Sequence, residues 1–299
     1  MPDIKLTPQE VERIIPHILD VQYVDRCGQK VVFSGIIDEK KYAIKFLKPT
    51  QTTRMGDESI LLDDVTARAR REIDTMQQCQ SPYLVKMGPI GLTVCEVGDE
   101  EYIYYTEEFI NGDNLKDYLA KVEKMDPKEI VELAFHISEA ISAIWQFSKI
   151  HRDIKPGNIM RKSDTEEFVL LDMGLVFDLQ DESFSIAPVG TPLYFSPEQM
   201  DFTNRRTIMN FRSDLFSLGI VLYEMATGKH PFVTSETRST WDVFGNIRDL
   251  NPTAPKQLVP GLPQSLSDVI LRLLAKRPAL RYRSIKIFQQ ALDTIRKEL

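Results

Sequence analysis

The sequence predicts an α+β protein made of a small part rich in β-strands, which contains one main helix, and a larger part that is mostly helical. Short runs of β-branched and aromatic residues in the first third of the chain are typical of strands. Beyond about residue 126, apolar residues instead recur every three or four positions, as on the buried face of a helix. The chain has 299 residues, which is enough for one large domain or two ordinary ones.

The first third of the chain predicts a short helix followed by strands. Thr7-Pro-Gln-Glu10 has the form of a capping box with proline in the first turn, which predicts a helix through about Ile18. Strands are expected within 21–46, with a turn at Asp38-Glu-Lys-Lys41 between two of them. A helix is expected next, because apolar residues recur at helical spacing at Ala67, Ala69, Ile73 and Met76. Two further strands, 85–97 and 101–109, are expected around a turn at Gly98-Asp99.

The remainder of the chain predicts helices. Asp126-Pro127 begins a long helix with one apolar face, formed by Ile130, Leu133, Ile137, Ile141 and Ile144. Residues 213–226 are apolar nearly all round, which is typical of a helix in the middle of a domain. Two more helical patterns, 266–275 and 284–297, complete the prediction, and Trp145 and Trp241 are assigned to packing.

Composition limits the classes of partner and the compartment. The formal net charge is −7, which argues against a nucleic acid or an anionic membrane as the main partner. Three scattered cysteines indicate reduced thiols in a cytosolic protein and no structural zinc site. Neither a secretory signal nor an apolar stretch of membrane-spanning length is present in the sequence. We therefore expect a soluble, cytoplasmic protein.

The strongest motif in the chain is His151-Arg-Asp-Ile-Lys-Pro-Gly-Asn158. It matches the catalytic loop H-R-D-x-x-x-x-N at every fixed position, so the chain resembles the eukaryotic-like protein kinase superfamily. The resemblance implies that Asp153 faces the substrate hydroxyl, that Lys155 adds positive charge near the transferred phosphate, and that the amide oxygen of Asn158 binds magnesium. Each residue type suits its role, because a carboxylate accepts a proton, an ammonium donates, and an amide oxygen coordinates a hard cation. Taken alone, these residues would also suit a capped surface turn.

Two further motifs support the same resemblance. Phe168-Val-Leu-Leu-Asp-Met-Gly174 resembles the Asp-Phe-Gly motif, and implies that Asp172 bridges magnesium to the phosphates. Tyr42-Ala-Ile-Lys45 resembles the Val-Ala-Ile-Lys strand, which makes Lys45 the lysine that reaches the ATP phosphates. Its expected partner is Glu72 on the following helix. In isolation, an aspartate before glycine usually marks a turn, and a lysine in a strand is usually solvated.

The resemblance also assigns residues around adenine. The backbone of Glu108 and Ile110 is expected to meet the adenine edge, while apolar contacts are expected from Val32, Ala43 and Met160. Two positions depart from the family pattern. The glycine-rich loop retains only Gly28, which predicts a stiffer or differently shaped cover over the phosphates. A charged residue, Glu107, stands at the gatekeeper position, which is usually apolar.

A later segment, Gly190-Thr-Pro-Leu-Tyr-Phe-Ser-Pro-Glu198, resembles the end of a kinase activation segment. Asp214 and Gly219 resemble the start of the family's central helix, and Arg281 resembles the late arginine that pairs with Glu198. Asp214 is expected to bind the backbone around Arg152, because a buried charge needs a partner.

Phosphorylation could also order the activation segment. Phosphate on Ser183 or Ser185 would pair with Arg152, although solvated loop serines are the alternative interpretation.

The resemblance covers residues 21–296 and implies the two-lobed protein kinase fold. It predicts an N-terminal extension at 1–20 and a protein kinase domain at 21–299. Within that domain the expected N-lobe is 21–108, the hinge is 109–113 and the C-lobe is 114–299.

The sequence is therefore interpreted as a serine/threonine protein kinase. It implies ATP and Mg²⁺, with Mn²⁺ as an alternative metal, and transfer of the γ-phosphate to protein substrates, including the chain itself. Lys155 and Thr191 stand where serine/threonine kinases carry them. Two alternatives remain open: a pseudokinase-like scaffold, which the reduced glycine-rich loop favours, and a small-molecule phosphotransferase of related fold. A free-standing bacterial-type kinase is expected, and the oligomeric state is not specified.

Overall fold

The structure, a computed structural model, describes residues 4–27, 30–49, 65–179, 191–201 and 209–299. The chain divides into two compact units. The first comprises residues 1–80 and 85–110, and the second comprises residues 81–84 and 111–299. The α+β class with a β-rich first part and a helical second part is confirmed.

The first unit is built on an antiparallel sheet with strand order β1-β2-β3-β5-β4. The strands are β1 (Leu19–Cys27), β2 (Lys30–Ile37), β3 (Lys40–Leu47), β4 (Thr93–Val97) and β5 (Glu100–Glu108). The predicted turn between β2 and β3 is confirmed, since Asp38 and Glu39 both have positive φ angles there. Such turns match the right-handed twist of the flanking strands. The central strand β3 therefore carries Lys45 between β2 and β5.

Two helices accompany this sheet. The first, α1 (Pro8–Ile14), has the predicted capping box between Thr7 and Glu10 but ends before Ile18. Its buried residues share one core with the sheet, so part of the segment predicted as an extension packs into the first unit. That core includes Val11, Ile15, Phe33, Phe46 and Tyr104. The second helix, α2 (Val65–Gln78), is the predicted one and carries buried Glu72.

The prediction of a continuous strand over residues 85–97 is wrong for its first half. An isolated bridge between Met87 and Glu107 and three backbone hydrogen bonds to β5 form there instead of a regular strand, and β4 begins at Thr93. Pro89 lacks the N–H that a strand needs, and Gly88 approaches β5 closely. A Cβ on Gly88 would lie 2.5 Å from Oγ1 of Thr106.

The second unit is mostly helical. Its helices are α3 (Leu115–Val122), α4 (Pro127–Trp145), α5 (Phe211–Thr227), α6 (Thr240–Asp249), α7 (Pro255–Leu258), α8 (Gln264–Leu273) and α9 (Ile285–Glu298). The predicted long helix and central buried helix are α4 and α5, which pack against each other. Gly219 lets α5 approach α8, because a Cβ there would lie 2.8 Å from Cβ of Leu273.

Short strands hold the loops of the second unit. These are β6 (Gly112–Asn114), β7 (Lys149–Ile150), β8 (Ile159–Lys162), β9 (Phe168–Leu170) and β10 (Phe177–Asp178). One antiparallel sheet has the order β6-β8-β9, and a second pairs β7 with β10. The loop from β7 to β8 contains Asp153, and the loop from β9 to β10 contains Asp172. Both loops are thus fixed at each end by strand pairing.

Two surface features complete the description. Trp241 is 76% exposed, so its assignment to packing is wrong; it contacts Phe244 edge-on while its other side faces solvent. Within the described ranges, no helix combines the length and the apolar character needed to span a bilayer.

Candidate active site

Asp153 lies at the centre of a hydrogen-bond network in the second unit. Its Oδ2 accepts hydrogen bonds from Nζ of Lys155 at 2.7 Å and from Nδ2 of Asn158 at 3.0 Å. Its Oδ1 accepts one from the backbone N–H of Thr191 at 3.0 Å. The Lys155 ammonium also donates to Oγ1 of Thr191 at 2.7 Å. The carboxylate is thus held in one orientation, and Oδ1 retains capacity to accept another hydrogen bond.

The backbone of this loop is held by a buried carboxylate from α5. Asp214 accepts hydrogen bonds from the N–H of His151 at 2.8 Å and from the N–H of Arg152 at 2.9 Å. Arg152 has a φ of 68°, so its left-handed backbone needs such support. Burial raises the pKa of the Asp214 carboxyl, and the two backbone N–H groups oppose this rise. The predicted contact of Asp214 with the backbone at Arg152 is confirmed.

Asn158 and Asp172 present oxygen atoms suited to a divalent cation. Nδ2 of Asn158 donates to both the backbone oxygen and Oδ2 of Asp153, which directs the amide oxygen away from that carboxylate. The backbone oxygen of Asn158 accepts from the N–H of Leu171, and so brings Asn158 next to the residue that precedes Asp172. Asp172 has a φ of 59° and caps the turn that follows it. One amide and one carboxylate oxygen fit the ligand preference of Mg²⁺.

Lys45 lies in the first unit and forms the predicted ion pair with Glu72. The distance from Nζ of Lys45 to Oε1 of Glu72 is 2.9 Å, and the Glu72 side chain is fully buried. A second lysine, Lys30 on β2, lies 2.5 Å from the other carboxylate oxygen of Glu72. Glu72 therefore links two strands of the sheet to α2.

Glu107 on β5 also contacts Lys45. Its Oε2 lies 2.7 Å from Nζ of Lys45. Among the described residues, none donates a hydrogen bond to this oxygen. Burial raises the pKa of the Glu107 carboxyl, the nearby Lys45 ammonium lowers it, and the rise is larger.

The remaining predicted residues are divided between the two units. Val32, Ala43, Glu108 and Ile110 lie in the first unit, whereas Met160 lies on β8 of the second. The N–H of Glu108 donates to the backbone oxygen of Lys86. The predictions for Gly28, Ser183 and Ser185 lie outside the described residues.

Glu198 and Arg281 form the predicted ion pair in the second unit. Nη1 of Arg281 lies 2.6 Å from Oε1 of Glu198, and both side chains are almost completely buried. Ser213 donates a further hydrogen bond to the same oxygen. Next to Glu198, Gln199 donates to the backbone oxygen of Arg152. This segment thus supports the loop that carries Asp153.

Several contacts were not predicted from the sequence, among them one ion pair and one hydrogen bond of the site. No motif indicated the Lys30–Glu72 ion pair. The available signal was the alternation of side chains along β2, which places Lys30 and Val32 on one face. The hydrogen bond from the Thr191 N–H to Asp153 joins segments that are distant in the chain. The sequence identified both residues of that second pair but not their contact.

Comparison with known families agrees with this fold. The protein kinase domain profile matches residues 28–293. The chain belongs to the protein kinase domain family.

Curated relatives carry serine/threonine-protein kinase names. The chain is 32% identical over 220 residues to the serine/threonine-protein kinase PknB of Mycobacterium leprae, which covers 73% of this chain and 34% of the relative. It is 30% identical over 230 residues to the serine/threonine-protein kinase PrkC of Bacillus subtilis, covering 76% of this chain and 33% of the relative. The chain thus spans about a third of the length of the curated relatives that it matches.

Proposed function

We propose that this protein is an ATP-dependent kinase that phosphorylates serine or threonine hydroxyls of protein substrates, including its own. The observation that carries the proposal is the Asp153 carboxylate, which Lys155, Asn158 and the Thr191 N–H hold in one orientation. Phosphoryl transfer depends mainly on positioning and on charge stabilisation, and this network supplies both.

Asp153 accepts the hydrogen bond of the substrate hydroxyl and orients its oxygen toward the γ-phosphorus. A bond forms between that oxygen and phosphorus while the bond from phosphorus to the β,γ-bridging oxygen breaks, and ADP leaves. The hydroxyl proton passes to Asp153. The Lys155 ammonium, 2.7 Å from Oδ2 of Asp153, adds positive charge beside the transferred phosphoryl group.

The proposed ATP contacts are those that the family motifs imply. Lys45, oriented by Glu72, binds the phosphates, as the family motif implies. The adenine contacts fall to Val32, Ala43 and Met160, with the backbone of Glu108 and Ile110, and Gly28 belongs to the cover over the phosphates.

Asn158 and Asp172 are the proposed ligands of the divalent cation. Mg²⁺ is the proposed metal and Mn²⁺ the alternative, because hard oxygen ligands suit both. When bound, the cation neutralises phosphate charge.

Specificity for serine and threonine rests on Lys155 and Thr191, whose side chains contact each other at 2.7 Å. The printed names of the relatives, serine/threonine-protein kinases, support the same assignment.

The proposed domain boundaries are those that the motifs imply: an extension at 1–20, an N-lobe at 21–108, a hinge at 109–113 and a C-lobe at 114–299. A cytoplasmic location is proposed from the three scattered cysteines, which suit a reducing compartment. The net charge of −7 supports a protein partner over nucleic acid or membrane.

The test is a transfer assay with labelled ATP, Mg²⁺ and a generic basic protein. We expect wild type to label the protein substrate and itself, and Asp153→Asn to lower kcat by about 10² or more. Asp164→Asn is the matched control, because Asp164 is an exposed aspartate in a turn of the same unit. Equal rates for wild type and Asp153→Asn would contradict the proposal. ATP binding without transfer to any protein would favour the scaffold, and transfer only to small molecules would favour the related phosphotransferase.

A further inference from the structure

Two lysines from neighbouring strands share the buried carboxylate of Glu72. Nζ of Lys30 lies 2.5 Å from Oε2, and Nζ of Lys45 lies 2.9 Å from Oε1. The lysine side chains are only 12% and 8% exposed, and the Glu72 side chain is fully buried. A carboxylate with one lysine on each oxygen is more than the single lysine–glutamate pair that the family motif requires.

The register of the sheet explains why both lysines reach the same glutamate. Val32 on β2 is paired with Lys45 on β3, so these side chains lie on the same face. Lys30 is two residues before Val32 and therefore lies on that face as well. Since Glu72 on α2 contacts both ammonium groups, α2 covers this face where the two lysines lie.

Lys30 also occupies a particular place in the chain. The family motif reads G-x-G-x-x-G-x-V before the strand of the catalytic lysine. If Val32 is the valine of this motif, Lys30 stands where the third glycine would be. A glycine there provides only its backbone N–H to phosphates, whereas a lysine also provides a mobile positive charge.

The donor capacity of the two lysines suits an additional anion. Glu72 contacts both lysines and Glu107 contacts Lys45, and burial makes ionisation of Glu107 unfavourable. An ammonium has three donors, so a lysine that binds Glu72 can bind a phosphate oxygen as well.

We propose that Lys30 is a second phosphate-binding lysine: its ammonium, oriented by Glu72, contacts the phosphates of ATP together with Lys45. This inference rests on the proposed function, because it assumes that Lys45 binds the phosphates. In other family members, backbone N–H groups of a glycine-rich loop bind the phosphates. Here the Lys30 side chain on β2 would take over part of that role.

The experiment measures binding of ATP and of adenosine to the full chain by calorimetric titration in the presence of Mg²⁺. Lys30→Met is expected to weaken ATP binding by about tenfold to a hundredfold, the range for a charged hydrogen bond, without changing adenosine binding. Lys30→Arg should restore part of the ATP affinity because it keeps the charge. Lys48→Met is the matched control, since Lys48 directly follows β3 and pairs with Glu100, whereas Lys30 pairs with Glu72.

Each alternative outcome has a defined meaning. Unchanged ATP affinity in Lys30→Met, or an equal loss of ATP and adenosine affinity, would overturn the inference in favour of a structural role for Lys30. If Lys30→Met does not fold, Lys30→Gln and Lys30→Arg are compared in the same titration. Wild type that binds ATP but transfers no phosphate would refute the proposed function alone, whereas wild type that binds no ATP would refute both.

Discussion

Nζ of Lys45 lies 2.7 Å from Oε2 of Glu107, a buried carboxylate on β5. The same ammonium lies 2.9 Å from Glu72, so one lysine faces two buried carboxylates. Ionising a buried carboxyl that lacks full hydrogen bonding is costly, and Glu107 is such a group. The contact therefore has measurable consequences for stability.

The first prediction concerns Glu107→Gln and its dependence on pH. Burial raises the folded-state pKa of Glu107 above its ordinary value of 4.5. The folded protein therefore binds more protons than the unfolded chain from about pH 4.5 up to the raised pKa, and wild-type stability falls as the pH increases through that window. Glutamine does not titrate, so Glu107→Gln should become more stable than wild type as the pH rises. Urea unfolding at a series of pH values tests this, and a difference that does not change with pH would contradict it.

The second prediction concerns the support of the catalytic loop by Asp214. Asp214→Ala removes the acceptor of the N–H groups of His151 and Arg152, at a cost of about 1–3 kcal/mol for each buried group. Asp214→Asn keeps one acceptor oxygen and should therefore lose less stability than Asp214→Ala. We expect stability and single-turnover rate to fall together, in the order wild type, Asn, Ala. If Asp214→Ala is as stable as wild type, other contacts hold the loop.

The third prediction concerns the ion pair of Glu198 and Arg281. Arg281→Met leaves the buried Glu198 carboxylate without its guanidinium partner, so a loss of about 3–5 kcal/mol is expected in urea unfolding. The double variant Glu198→Gln/Arg281→Met should recover part of this loss, because it buries no unpaired charge. If both variants lose the same stability, packing rather than charge determines the effect.

The fourth prediction concerns Glu224, whose carboxyl accepts a hydrogen bond from Tyr194 at 2.9 Å. Burial raises the pKa of Glu224 to about 7, against an ordinary value of 4.5. The folded state keeps the Glu224 proton to a higher pH than the unfolded state does. The contribution of Glu224 to stability is therefore present below pH 4.5 and is lost as the pH rises through 7. The loss should reach about 3 kcal/mol at most.

Glu224→Gln should not show this loss of stability with increasing pH. The test measures the unfolding free energies of the variant and of wild type from pH 4 to 8 and compares them. A wild-type stability that rises relative to Glu224→Gln across this range would contradict the assignment. Tyr194→Phe is a useful companion, since it removes the donor while keeping the ring.

Local patterns predicted most elements because they depend on neighbouring residues. The capping box at Thr7 and Glu10, the turn at Asp38 and the long helix α4 all follow from short-range spacing. The wrong predictions have causes that depend on residues distant in the chain. The strand prediction over 85–97 missed the effect of Pro89 on pairing with β5, and Trp241 was assigned to packing although no described element covers most of its surface.

By itself the sequence determined the family resemblance and the residues of the catalytic loop, because His151 to Asn158 are contiguous and their types follow from the chemistry of phosphoryl transfer. It also predicted Glu72 as the partner of Lys45. Only the tertiary structure decided that Lys30 and Glu107 join that pair. A lysine on a strand can face solvent or a buried carboxylate, and strand register together with the position of α2 determines which one it meets.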